Sequence, residues 1–133
     1  MFARLASPPR FHALASRLWL WCGVFGLAFL SLGLWLGLVK APVDVQQGEV
    51  YRALYVHVPA AWMSMFLYLL ACAYAALNWI YRSDVSAVMM RALLPTGAWM
   101  TVLALLTGAL WGKPTWGTYW VWDARMTSEL LLL

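Results

Sequence analysis

Three long apolar runs, separated by short polar segments, set the pattern of this 133-residue chain. Leu18 to Val39 carries no charge over 22 residues, about 33 Å of helix, which is enough to cross a hydrocarbon core of roughly 30 Å. Tyr55 to Tyr81 is interrupted only by His57 and Asn78, and Ala92 to Trp111 forms a third run. Ala124 to Leu133 begins a fourth helix, but ten residues cover only about 15 Å. The pattern predicts an all-α polytopic membrane protein with three transmembrane helices and the start of a fourth. Its segments are a leader (1–17), helices at 18–39, 55–81 and 92–111, connections at 40–54, 82–91 and 112–123, and a truncated helix at 124–133. The half-length last segment reads as a fragment of a longer chain. Pro59 and Pro95 are expected in opening turns, where the missing N–H costs little. A helical turn is expected after Gly48. Gly33 and Gly37 have the GxxxG spacing that lets helices approach closely.

Composition agrees, at 65% hydrophobic and 11% charged, against about a quarter charged in a soluble domain. The net charge of +4 is scattered as single basic residues rather than gathered in a stripe, which excludes a nucleic-acid partner and leaves the lipid bilayer as solvent. With the N-terminus inside, inner segments hold Arg4, Arg10, Arg17, Arg82 and Arg91. Outer segments hold Lys40, Arg52, Lys113 and Arg125. Arg17, directly before the first run, favours a cytoplasmic N-terminus. Cys22 and Cys72, inside apolar runs and without a CxxC, read as inert buried packing residues.

The unusual stretch is Trp111 to Ser128, WGKPTWGTYWVWDARMTS. Gly112, Pro114 and Gly117 are expected to break any regular helix through it. One reading is an interfacial aromatic belt, with indole bodies in lipid and N–H groups in water. The other is a platform for a large planar ligand. The stretch WGTYWVWDARMTSE resembles the tryptophan-rich WWD signature of the haem-handling proteins of cytochrome c biogenesis. Tyr119 and Met126 stand where that signature often has Trp and Leu.

His57, in YRALYVHVPAAW, is expected at the outer head of the second helix, level with the aromatic stretch. A neutral imidazole there can offer a lone pair to a metal. A boundary histidine bonded to water or a carbonyl is the plainer alternative. His57-Val58-Pro59-Ala60-Ala61-Trp62 resembles the HVPxAW context of that family's haem-ligating histidine. The resemblance runs through VDVQQGEVYR as well, and matches the N-terminal half of the family's haem exporter branch.

What the resemblance implies is a protein that performs no enzymatic chemistry. It would carry haem b as cargo at the outer face of the bacterial inner membrane and pass it to a membrane-anchored haem chaperone. Its other partners would be ABC-transporter subunits of the maturation complex. His57 would ligate iron, and Trp116, Tyr119, Trp120 and Trp122 would cover the porphyrin. Arg125, Lys113 or Arg52 would meet the propionates. Asp123 would hold Arg125 or an indole N–H, while an ordinary Arg125–Glu129 helical ion pair is the alternative for that arginine. His12 is expected across the membrane, so a second axial ligand on the His57 side would lie beyond Leu133. Three other readings stay open: a structural or assembly subunit without haem, a b-type cytochrome subunit, and a fragment of a WWD-family cytochrome c synthetase.

Overall fold

A computed structural model describes residues 7–133; the part of the leader at residues 1–6, with Arg4, lies outside them. The described chain is helical: α1 (Pro8–Trp35), a π turn (Leu36–Lys40), a 3-10 turn (Glu49–Ala53), α2 (Leu54–Tyr81), α3 (Asp84–Trp116) and α4 (Ala124–Leu131). Three helical stretches are long and apolar enough to cross a membrane: Pro8–Lys40, Glu49–Tyr81 and Asp84–Trp116.

The architecture is an antiparallel α2–α3 hairpin with α1 laid thinly against it. Ala60, Ser64, Leu67 and Ala71 of α2 are buried against Gly97, Thr101 and Ala104 of α3. His57 faces Gly108, and Tyr68 faces Gly97, eleven positions along each helix in opposite directions. The buried residues are mostly small, while Leu69 and Trp99 are about 70% exposed. In lipid a large side chain loses little by facing outwards, because acyl chains are as apolar as leucine, whereas small ones let backbones close together. Thr101 and Ser64 are both fully buried: the Thr101 hydroxyl donates to the Gly97 carbonyl, and the Ser64 hydroxyl, 2.9 Å from the Ala61 carbonyl, makes its shorter bond to Glu129 of α4. No residue of α1 is buried.

Several expectations are corrected by this arrangement. The polar stretch 82–91 is mostly helix: only Arg82, in the left-handed region at φ 51°, and Ser83 make the turn. Ser83 caps α3 by accepting the Ser86 N–H, and Asp84 suits the first turn, so the polarity marks a helix start rather than a loop. Pro59 and Pro95 lie inside their helices, because the 3-10 turn runs straight into α2 and α3 begins at Asp84. Gly112 and Pro114 do not break α3, which ends at Gly117 with φ 83°. Pro114 falls in the last turn, and Gly112 is buried under Thr118 and Trp116. Cys22 and Cys72 are exposed on the outside of the bundle rather than packed within it. Of the glycine pair, Gly37 is pressed against Tyr55, where an added Cβ would come within 2.7 Å, whereas Gly33 meets nothing.

Replacing Ala104, 2% exposed in the α2–α3 seam, by Leu is expected to destabilise the protein by about 1–3 kcal/mol. Trp99→Leu on the lipid side should be near neutral. Unfolding both variants in mixed micelles checks the contrast, and equal losses would place the packing seam elsewhere.

Candidate functional site at the His57 end of the hairpin

His57 sits more than two turns into a continuous helical stretch that begins at Glu49, not at a helix head. What orients its ring is α3. Nδ1 lies 3.0 Å from the Ala104 carbonyl and 3.2 Å from Thr107 Oγ1. The Thr107 hydroxyl donates to the Leu103 carbonyl at 2.6 Å, so both partners of Nδ1 act as acceptors. In a neutral ring the proton therefore resides on Nδ1, and the lone pair is on Nε2. Gly108 makes room for this placement, since a Cβ there would come within 2.8 Å of His57 Cε1.

Beside His57 lies Trp111, with ring centroids 5.7 Å apart and tilted by 55°, and Trp116 follows at 5.5 Å from Trp111. These three rings line a cavity of about 390 Å³ together with Met65, Arg125, Met126 and Glu129. A second cavity of about 200 Å³ adjoins it across Gly108, Trp116, Arg125 and Met126, and is lined by Tyr119, Trp120 and Asp123. Trp120 packs edge-on against Trp122 at 5.3 Å, and its buried Nε1 has no acceptor among the described residues. Trp122 itself is 75% exposed and lines neither cavity. The expected ledge is thus divided: Trp116 shares the His57 cavity, Tyr119 and Trp120 line its neighbour, and Trp122 faces outwards.

The charged candidates also separate. Lys113 donates to the Gly117 carbonyl at 3.1 Å and lies over the Tyr119 ring, so it braces the end of α3. Arg52 pairs with Glu49 at 2.6 Å and donates to the Leu38 carbonyl in the π turn, away from both cavities. Arg125 lies between the cavities and donates to Asp123 Oδ2 from Nη2 at 2.8 Å and Nε at 3.2 Å. It does not pair with Glu129, which instead accepts a 2.5 Å hydrogen bond from Ser64 of α2. His12 lies beside Val85 and Val88, at the opposite end of α3 from Gly108.

Asp123 starts α4 and fixes Arg125 at the same time. Its Oδ1 accepts the Met126 N–H at 2.8 Å, the bond expected of an N-cap, leaving Oδ2 for the guanidinium. The Met126 N–H first, then Arg125, holds its carboxyl below the ordinary value of 3.8. Sequence reasoning singled out His57, Asp123 and the aromatic run, but not the Ala104 carbonyl, Thr107 and Gly108 that place the imidazole. Only the G in LLTGALW, a spacing of four from Ala104, hinted that a bulky group would sit over α3 there.

These features define a class: a helical membrane protein in which one imidazole and the tryptophans at the end of α3 wall a largely apolar cavity at one end of a helical hairpin. The family profile described as "CcmC: Heme exporter protein C" matches residues 1–133, and the chain belongs to that family. It is 42% identical over 130 residues to heme exporter protein C of Escherichia coli K12, covering 98% of this chain and 53% of the relative. It is 44% identical over 128 residues to the Bradyrhizobium diazoefficiens protein of the same name, covering 96% and 48%. A putative cytochrome c biosynthesis ccmC-like mitochondrial protein of Marchantia polymorpha is 44% identical over 102 residues, covering 77% and 45%. The chain spans about half the length of these curated relatives.

Two outcomes follow from the geometry. Gly108→Ala is expected to displace the imidazole and weaken its bond to Ala104, read as a shift of the His57 ring ¹⁵N resonances. An unmoved spectrum would mean that the ring is held from elsewhere. A carboxylate with a depressed folded pKa contributes stability above its unfolded value and loses it as pH falls through the folded one. The Asp123 cap should therefore persist from neutral pH down to about 4 and fail only in stronger acid, which the Met126 amide resonance reports.

Proposed function

We propose that this chain binds haem b as cargo and presents it at the outer face of the bacterial inner membrane during c-type cytochrome maturation. The observation that carries the proposal is the His57 ring, anchored through Nδ1 on the Ala104 carbonyl and lining a largely apolar cavity with Trp111 and Trp116. A histidine that ligates iron commonly anchors its other ring nitrogen on a carbonyl or carboxylate, which fixes tautomer and orientation. His57 has such an anchor in Ala104.

The surrounding residues suit a flat apolar disc with two carboxylates on one rim. Trp111 and Trp116 cover apolar surface, with Tyr119 and Trp120 continuing the wall. Arg125 supplies the cation, and the unpartnered Trp120 N–H supplies a further donor, so a carboxylate at that rim would relieve a buried group left without a bond. Glu129, held on Ser64, makes the inner part of the cavity unfavourable for propionates and so favours one orientation of the disc. Asp123 keeps Arg125 in place and is not itself a propionate partner. Trp122, exposed and off both cavities, fits the interfacial belt instead.

With the N-terminus cytoplasmic, the His57 end of the hairpin faces the periplasm, where a membrane-anchored haem chaperone would receive the cargo. ABC-transporter subunits are the remaining partners of the proposed assembly. The residues of this chain bind and orient haem, and no bond-making step falls to them.

The test is an absorption spectrum of the membrane-extracted protein. His57→Ala is expected to abolish or strongly shift the haem band, and a band that persists unaltered removes His57 as a ligand. Trp116→Leu should speed haem loss severalfold while Trp122→Leu leaves it nearly unchanged. Asp123→Ala should weaken retention by freeing Arg125 and loosening the start of α4.

A further inference from the structure

The loop between α1 and α2 has no part in the site as described so far, yet it reaches the middle of the ring cluster. Asp44 organises it. Oδ1 accepts the N–H groups of Gln46 at 2.9 Å and Gln47 at 2.7 Å, and the Asp44 carbonyl accepts the N–H of Gly48 at 2.9 Å. Gly48 closes the turn at φ 62° and ψ −144°, a conformation open to glycine and strained for other residues. The turn delivers the Gln47 side chain to α3, where Trp111 Nε1–H donates to Gln47 Oε1 at 2.9 Å across 64 residues of sequence.

That bond falls at a decisive place. An indole N–H is a donor only, and a half-buried one needs an acceptor. Gln47 is its acceptor in the structure, and the ring it holds is the one between His57 and Trp116. Rotation of Trp111 about its side-chain bonds would remove both the wall beside the imidazole and the support of Trp116.

We propose that Gln47 is a positioning residue for the haem site: its amide oxygen fixes the Trp111 ring, and Trp111 fixes the wall beside the His57 imidazole. Asp44 acts one step further back, by shaping the turn that carries Gln47. The inference rests on the haem-binding reading of the cavity and extends it to a loop that does not line the cavity.

The test uses the full chain in lipid nanodiscs with hemin as the probe. Gln47→Leu and Trp111→Phe each remove one side of the bond while keeping apolar bulk. Each is expected to speed hemin dissociation about three- to tenfold, the range one ordinary hydrogen bond supplies, and to shift the haem absorption band. The double variant should lose no more than the worse single one, because both changes delete the same bond. Gln47→Glu, which keeps an acceptor, should restore most of the retention. Additive losses in the double variant overturn the proposal, as do single variants indistinguishable from the parent in both rate and spectrum. Those results leave His57-dependent binding intact and so spare the haem reading. Hemin binding that ignores His57→Ala removes both. Because Trp111→Phe leaves the loop sequence untouched, misfolding of the loop variant alone does not rescue or sink the idea.

Discussion

The close approach of α2 and α3 is the constraint on which the rest depends. Small residues on both helices let the backbones come near enough for a side chain of one to reach a main-chain carbonyl of the other, as His57 does at Ala104. At the His57 end the same seam narrows to Gly108, which leaves just enough room for an imidazole. A bulkier seam would separate the helices, and His57 would lose both its hydrogen bond and its orientation. Packing and the placement of the imidazole are therefore one requirement here, met by glycine, alanine and hydroxyl residues.

Around that fixed imidazole the site is assembled from three distant parts of the chain. The α1–α2 loop supplies Gln47, the end of α3 supplies Trp111 and Trp116, and the turn into α4 supplies Asp123 and Arg125. The Gln47–Trp111 bond ties the loop to α3, and the Ser64–Glu129 bond ties α4 to the hairpin. In a bilayer this matters more than in water, because the hydrocarbon offers no competing donors or acceptors. Aromatic walls give the cavity its shape, and these few bonds give the walls a single arrangement.

Charge is distributed with similar economy. Arg52 is spent on the π turn and Lys113 on the end of α3, which leaves Arg125 as the cation between the two cavities. Asp123 does two jobs with its two oxygens, capping α4 and holding that arginine. Glu129, turned to Ser64 rather than to Arg125, ties α4 back to the hairpin.

The sequence by itself determined the number and rough extent of the spanning helices, because a run without charges is long enough to cross lipid or it is not. It also pointed to His57, to an Asp123–Arg125 contact and to the family, since those signals are local in the chain. Only the tertiary structure decided which faces touch. In lipid an outward Trp99 and an inward Leu67 are equally comfortable, so polarity carries no inside–outside code and periodicity cannot be read for packing. For the same reason Cys22 and Cys72 turned outwards, Trp122 left the ledge, and Gly112 proved to be a contact rather than a break. The bonds from Gln47 to Trp111 and from Ser64 to Glu129 join positions more than sixty residues apart, and no local pattern announces them.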